Sequence, residues 1–201
     1  MNAPNIPKPD AAFDIVAMAA SAGGLQAFST VLAYLPAGFP AAILAVQHLD
    51  PRHRSLMVDI LGRRTPLAVR EAVEGVCIEP GIVHFAPPNH HLLVAPGRTL
   101  TLTQTELVHF VRPSADLLFE SVAACYRERA IAVVLSGTGH DGAMGVRAIK
   151  KMGGTVIVQD GEAEFAGMPS AAVTTGLVDF VLPLGEIAFA LVTLVAGKAA
   201  S

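Results

Sequence analysis

The stretch Ile15-Val16-Ala17-Met18-Ala19-Ala20-Ser21-Ala22-Gly23-Gly24-Leu25 runs an apolar segment into a serine, two glycines and a helix-periodic stretch. A run without polar alternation is the pattern of a strand buried on both faces. The two glycines permit the sharp turn that must follow it. Leu25, Phe28, Leu32 and Leu35 recur at three- and four-residue intervals, so Gly24 to Leu35 reads as a helix with one buried stripe, ended by Pro36. Ala41 to Val46 then reads as a second buried strand. Strand, helix and strand form a right-handed βαβ unit whose two strands end on the same side of a parallel sheet. Ser21 and Gln47-His48 therefore emerge together at one edge.

The same rhythm returns later in the chain. Ile131 to Leu135 reads as a buried strand, followed by Ser136-Gly137-Thr138-Gly139-His140-Asp141-Gly142 and a helix through Val146 and Ile149 to Met152. Thr155 to Gln159 is the next strand, Phe165 to Pro169 a loop before a short helix, Val178 to Leu182 the last strand and Leu184 to Val195 the last helix. Ser114 to Glu128 has helical spacing, with Ser114 placed as its N-cap. Between Leu67 and Thr103 the short runs Val83 to Ala86, His91 to Ala95 and Thr99 to Leu102 are separated by prolines and glycine, and read as an antiparallel hairpin or meander. The fold class is α/β: a doubly wound, mainly parallel sheet flanked by helices, with a small antiparallel β-hairpin region. Residues 1–12 are expected to be a flexible leader and 13–201 one domain.

With 201 residues, 52% hydrophobic and 15% charged, the chain is long and apolar enough to bury a core without disulfides, metals or cofactors. A net charge of -3 without any long Lys/Arg run excludes nucleic acid as the main partner. Cys77 and Cys125 have neither redox nor zinc spacing and point to reduced thiols in a cytoplasmic protein. The uncharged stretch from Ile15 to Leu49 is interrupted by Gly, Pro, Ser and Gln, so it is a buried βαβ unit and not a membrane insertion. The proline-rich opening lacks the apolar core of a signal peptide.

In a parallel α/β sheet, ligands bind beyond the carboxyl ends of the strands. Ser21, His48 and Asp141 all fall just past such ends. A serine hydroxyl needs a base to take its proton, and an imidazole base needs a carboxylate to fix its tautomer, which are the roles of these three residues. The oxyanion that follows needs N–H donors. Gly137-Thr138-Gly139 and the turn after Ser21, with Ala22, are positioned to supply them, and the Thr138 and His48 amides are the expected donors. Met168 is expected to pack along the pocket. His84, His90, His91 and His109 come with no ligand set, so no metal is expected and they read as solvated or loop residues. Each of the three residues also has a simpler reading: Ser21 as a helix cap, His48 as a core or loop histidine, Asp141 as a turn residue. An anion-binding site is the alternative for the glycine turns, although no dinucleotide or P-loop motif is present.

From about Asp14 to Leu184 the chain resembles the catalytic domain of CheB-type chemotaxis protein-glutamate methylesterases. The resemblance is carried by Ala20-Ser21-Ala22-Gly23-Gly24, Val46-Gln47-His48-Leu49, Arg112-Pro113-Ser114-Ala115-Asp116, Leu135 to Ala143, and Gly167-Met168-Pro169. It implies Ser21 as nucleophile, His48 as general base, Asp141 as orienting carboxylate, and γ-glutamyl methyl esters on cytoplasmic receptor helices as substrate. It also implies glutamine deamidation as a second activity of the same acyl-enzyme chemistry. Where the family usually has Gly-Ala-Ser-Thr-Gly-Gly, Gly-Met-Gly and Gln-His-Met, this chain has Ala19 to Gly24, Gly137-Thr138-Gly139 and Gln47-His48-Leu49. These departures are similar to variants fused to a methyltransferase, which implies a methylated chemoreceptor or related sensor protein, and a methyltransferase, as partners. The receiver domain usual in the family is not expected, as only a short leader precedes the first strand. The competing reading is a catalytically impaired or non-enzymatic module that binds a receptor or an anion in the same cleft.

Overall fold

The computed structural model describes residues 11–48 and 55–197. Among these, seven parallel strands form one sheet in the order β3-β4-β2-β1-β7-β8-β9, and two more form a separate antiparallel ribbon, β5-β6. The strands are β1 (Ile15–Ala20), β2 (Ala42–Gln47), β3 (Ala68–Glu71), β4 (Ile82–Phe85), β5 (His91–Val94), β6 (Leu100–Thr103), β7 (Ala130–Val134), β8 (Thr155–Gln159) and β9 (Phe180–Leu182). The helices are α1 (Gly24–Ala33), α2 (Met57–Leu61), α3 (Ala115–Tyr126), α4 (Ala143–Lys151), α5 (Gly167–Thr174) and α6 (Leu184–Ala196).

Alternation along β1 explains why the sheet is covered twice. Val16, Met18 and Ala20 pack into one apolar layer with Phe28, Leu32, Leu61 and Leu191, from α1, α2 and α6. Ile15, Ala17 and Ala19 face the other layer, with Leu118, Phe119, Val146, Ile149 and Ala172 from α3, α4 and α5. Every residue of β1, β2 and β7 is buried, as a central strand with helices on both faces requires. The doubly wound parallel sheet is thus as expected.

The region from Leu67 to Thr103 contains the expected antiparallel hairpin but departs from the expectation in the placement of β4. Only β5 and β6 form the antiparallel ribbon, paired from His91↔Thr103 to Val94↔Leu100. β4, read as part of the meander, instead lies in the main sheet parallel to β2, with Leu44 opposite His84. His84 interrupts the apolar run and hides this, yet it is only 2% exposed. The edge strand β3 and the short α2 carried no periodic signal long enough to read. The leader expected at 1–12 lies outside the described residues except for Ala11, which is buried, and Ala12, whose amide donates to Val195 O at 2.9 Å. No helix among the described residues is long and apolar enough to cross a membrane.

Candidate active site

β1 is the point where the chain turns to build the sheet in both directions: β2 lies on one side of it and β7 on the other. A crevice opens at such a reversal, outside the carboxyl ends of the strands. Ser21 follows β1, His48 follows β2, and Asp141 lies in the loop after β7. All three line one cleft of about 220 Å³, together with His109, Val111, Thr138, Gly139 and His140.

The turn that carries Ser21 is braced from both neighbouring strands. Its amide donates to Ser136 O at 3.0 Å, and its carbonyl accepts from Gln47 Nε2 at 2.7 Å. Gln47 Nε2 also reaches His48 O at 3.0 Å, so one buried amide ties the serine turn to the histidine. Ser136 Oγ donates to Ala22 O at 2.9 Å, and the Ser136 amide donates to Gln159 Oε1 at 2.9 Å. Gly23, at φ 76° in the left-handed region, takes the cap position of α1. The hydroxyl of Ser21 is therefore not the helix cap, and it stays in the cleft. A Cβ on Gly24 would run into the Gln47 side-chain amide and come within 2.9 Å of Ala20 Cβ, so the tight approach of α1 to the sheet requires glycine there.

His48 Nε2 donates to Asp141 Oδ2 at 2.8 Å, with the two side chains 11% and 4% exposed. An ionised carboxylate only accepts, which places the imidazole proton on Nε2 and leaves Nδ1 as the basic nitrogen. Ser21 Oγ and the ring share the cleft without a hydrogen bond between them, and such contacts commonly close only when substrate is bound.

Asp141 is held by the start of α3. Oδ1 accepts from Ser114 Oγ at 2.8 Å and the Asp116 amide at 3.1 Å, and Oδ2 accepts from the Ala115 amide at 2.6 Å. Ser114 occupies the cap position, as the sequence suggests, but its hydroxyl makes no capping bond. The Asp141 carboxylate, from another loop, does the capping instead. Burial alone pushes the Asp141 pKa up. The hydrogen bonds from His48 and from the Ala115 and Asp116 amides outweigh it, and with the attraction of His48 they hold the carboxyl below its usual range. Asp116, in the first turn of α3, is pushed the other way by its burial, despite hydrogen bonds from backbone amides.

The expected pocket residues divide into two groups. Thr138 lines the cleft, and its amide donates to no acceptor among the described residues. Gly137 lies beneath: its amide donates to Phe165 O and its carbonyl accepts from the Met168 amide, both at 2.8 Å. Met168, expected along the pocket, is 1% exposed and supports that turn from below, in the first turn of α5. The His48 amide, expected as an oxyanion donor, is taken by Ala20 O at 3.2 Å, because the β1–β2 ladder runs one residue further than anticipated.

Sequence reasoning missed the histidines of the wall. His109 Nε2 lies 3.2 Å from Asp116 Oδ2, and its ring packs edge-on against His140 with centroids 4.5 Å apart. His84 and His91, expected to be solvated or in loops, are buried at 2% and 0% exposure. His91 bridges two loops by donating from Nε2 to Glu106 O at 3.0 Å and accepting the Ser114 amide on Nδ1 at 3.1 Å. Gln47 and Gln159, polar residues closing apolar strands, were the readable signal for the braces. Among the described residues no group of three or more His, Cys, Asp or Glu side chains is arranged to hold a metal.

With this geometry in view, similarity to known proteins is informative. The sequence model of the CheB methylesterase family matches residues 16–191. A putative protein-glutamate methylesterase/protein-glutamine glutaminase of Leptospira interrogans is 40% identical over 177 residues, covering 88% of this chain and 92% of that protein. The protein-glutamate methylesterase FrzG of Myxococcus xanthus is 40% identical over 185 residues, covering 92% of this chain and 55% of that longer protein. The crystal structure of the Thermotoga maritima CheB methylesterase catalytic domain superposes with a TM-score of 0.88 at 35% identity, covering 91% of this chain and 99% of that one. The fold, the family match and these relatives agree: the chain belongs to the CheB methylesterase family.

Proposed function

We propose that this chain is a serine hydrolase that demethylates glutamate γ-methyl esters on the cytoplasmic domain of a chemoreceptor or related sensor protein. The observation that carries the reading is the 2.8 Å bond between His48 and Asp141 in the cleft that also holds Ser21. The family and the names of the relatives point to the same substrate class.

In this mechanism Ser21 Oγ attacks the ester carbonyl while His48 Nδ1 takes its proton, and Asp141 stabilises the resulting imidazolium through Nε2. The free Thr138 amide receives the developing oxyanion, an interaction of the kind whose loss typically costs ~3 to 4 kcal/mol of transition-state stabilisation. The tetrahedral intermediate collapses as His48 returns the proton to the leaving methoxide. Methanol departs and a γ-glutamyl ester on Ser21 remains. Water, deprotonated by His48, then attacks that ester to release glutamate and regenerate the serine. A glutamine side chain would pass through the same intermediate with ammonia leaving, a harder expulsion. The methyltransferase that makes the ester is the natural functional partner. The free thiols of Cys77 and Cys125 suit a reducing cytoplasm.

Methanol release from a peptide containing γ-methyl glutamate tests the reading. Wild type should release methanol and leave glutamate, whereas Ser21→Ala should not. Equal release by both would remove Ser21 from the chemistry, and release by neither would favour a binding module.

A further inference from the structure

Phe110 is 95% exposed, more than any other large apolar side chain among the described residues. It sits at the tip of a two-residue turn closed by the Val108 amide on Val111 O at 3.2 Å and the Val111 amide on Val108 O at 2.9 Å. His109 and Phe110 have φ of 50° and 65°, so both central residues are left-handed, the geometry of a type I′ turn that Asn-Gly would adopt without resistance. Keeping two bulky side chains in this conformation points to a use for them. For His109 the use is visible: it pairs with Asp116 and packs on His140, which anchors the turn to the cleft wall. Phe110 has no such role within the fold.

The turn is continuous with the catalytic cleft, because His109 and Val111, on either side of Phe110, both line it. A cleft of about 220 Å³ is smaller than typical small-molecule pockets of roughly 300–1,000 Å³. It suits one side chain, so the polypeptide bearing the ester must lie across the rim. Leu107, on the same loop, is 54% exposed. Met144, in the first turn of α4 and three residues after Asp141, is 55% exposed. Exposed aromatic residues beside a site are the usual anchors of protein recognition.

We infer that Phe110 is a specificity-determining residue: its ring docks an apolar side chain next to the esterified glutamate of the substrate polypeptide. This rests on the ester-hydrolase reading above and adds how the enzyme selects among proteins that carry the ester.

Two peptides with one γ-methyl glutamate, differing only in leucine or serine at the flanking positions, test it by methanol release, with p-nitrophenyl acetate as a small ester. The full chain is compared with Phe110→Asn, which tolerates the left-handed backbone but lacks the ring, and with Phe110→Tyr, which keeps the ring. Wild type and Phe110→Tyr should favour the leucine peptide by about tenfold in kcat/KM, mostly through KM, and Phe110→Asn should lose that preference. Turnover of p-nitrophenyl acetate should be the same in all three. Undiminished preference for leucine in Phe110→Asn would overturn the docking role and leave the hydrolase reading intact. Failure of wild type on both peptides and on the small ester would overturn both.

Discussion

Asp141 orients His48 from the N-terminus of a helix to which neither residue belongs: Oδ2 accepts hydrogen bonds from His48 Nε2–H at 2.8 Å and from the Ala115 amide at 2.6 Å. One carboxylate thus fixes the imidazole tautomer and caps α3. Asn is itself a good cap, so Asp141→Asn should leave α3 in place while removing the charge that sets the tautomer. Activity is expected to fall by about 10⁴-fold, with a circular dichroism spectrum like that of wild type. Turnover within tenfold of wild type would separate Asp141 from the chemistry.

The same carboxylate makes folding sensitive to acid. Its pKa is lower in the folded chain than the unfolded value of about 3.9, so its stabilising contribution is complete above that value. The contribution disappears as pH falls through the folded pKa. The stability gap between wild type and Asp141→Asn, read by urea denaturation, should be largest near neutral pH and narrow steadily below about pH 4. A gap that stays constant would mean that folding does not shift the carboxyl's pKa, and one that widens in acid would mean that the shift is upward.

A second pH effect comes from two buried histidines. Burial lowers the pKa of His84, with help from the Arg70 charge, and burial likewise lowers that of His91. The unfolded chain therefore binds protons that the folded chain resists, and stability should drop as pH falls below the unfolded value of about 6.5. His84→Leu should flatten that slope, since the ring nitrogens of His84 have no hydrogen-bond partner among the described residues to lose. An unchanged slope would show that the ring takes up protons in the folded state.

Gln47 is a positioning residue, joined through Nε2 to the carbonyls of Ser21 and His48 at 2.7 and 3.0 Å. Gln47→Leu leaves both carbonyls without this donor, which should cost about 1–3 kcal/mol of stability. Loss of the brace should also lower kcat by up to about 10²-fold, since displacement of a reacting group by 1 Å has effects of that size. KM should change little. A rise in KM at constant kcat would instead indicate a role in binding.

Much of this was legible in the sequence because buried parallel strands write long apolar runs. β1, β2, β7 and β8 did so, and the loops that follow the carboxyl ends of such strands are where a parallel sheet assembles a site. Ser21, His48 and Asp141 could be grouped on that ground alone. The short elements were not legible: β4 has four residues with a histidine among them, and β3 is an exposed edge. Nor could spacing show that Asp141 caps α3, that the His48 amide is spent on Ala20, or that Met168 lies beneath the Gly137 turn. Those depend on how loops from distant parts of the chain meet. Local pattern said only that Ser114 begins a helix, and the tertiary fold assigns its hydroxyl to Asp141.

The central claim is that Ser21 is an activated nucleophile, and intact-mass labelling with a fluorophosphonate probe addresses it without knowledge of the receptor. Wild type should gain a single adduct that maps to Ser21, Ser21→Ala none, and His48→Ala should react far more slowly. An adduct that persists on Ser21→Ala, or a wild-type protein that stays unlabelled while it releases methanol from a γ-methyl glutamate peptide, would contradict the account.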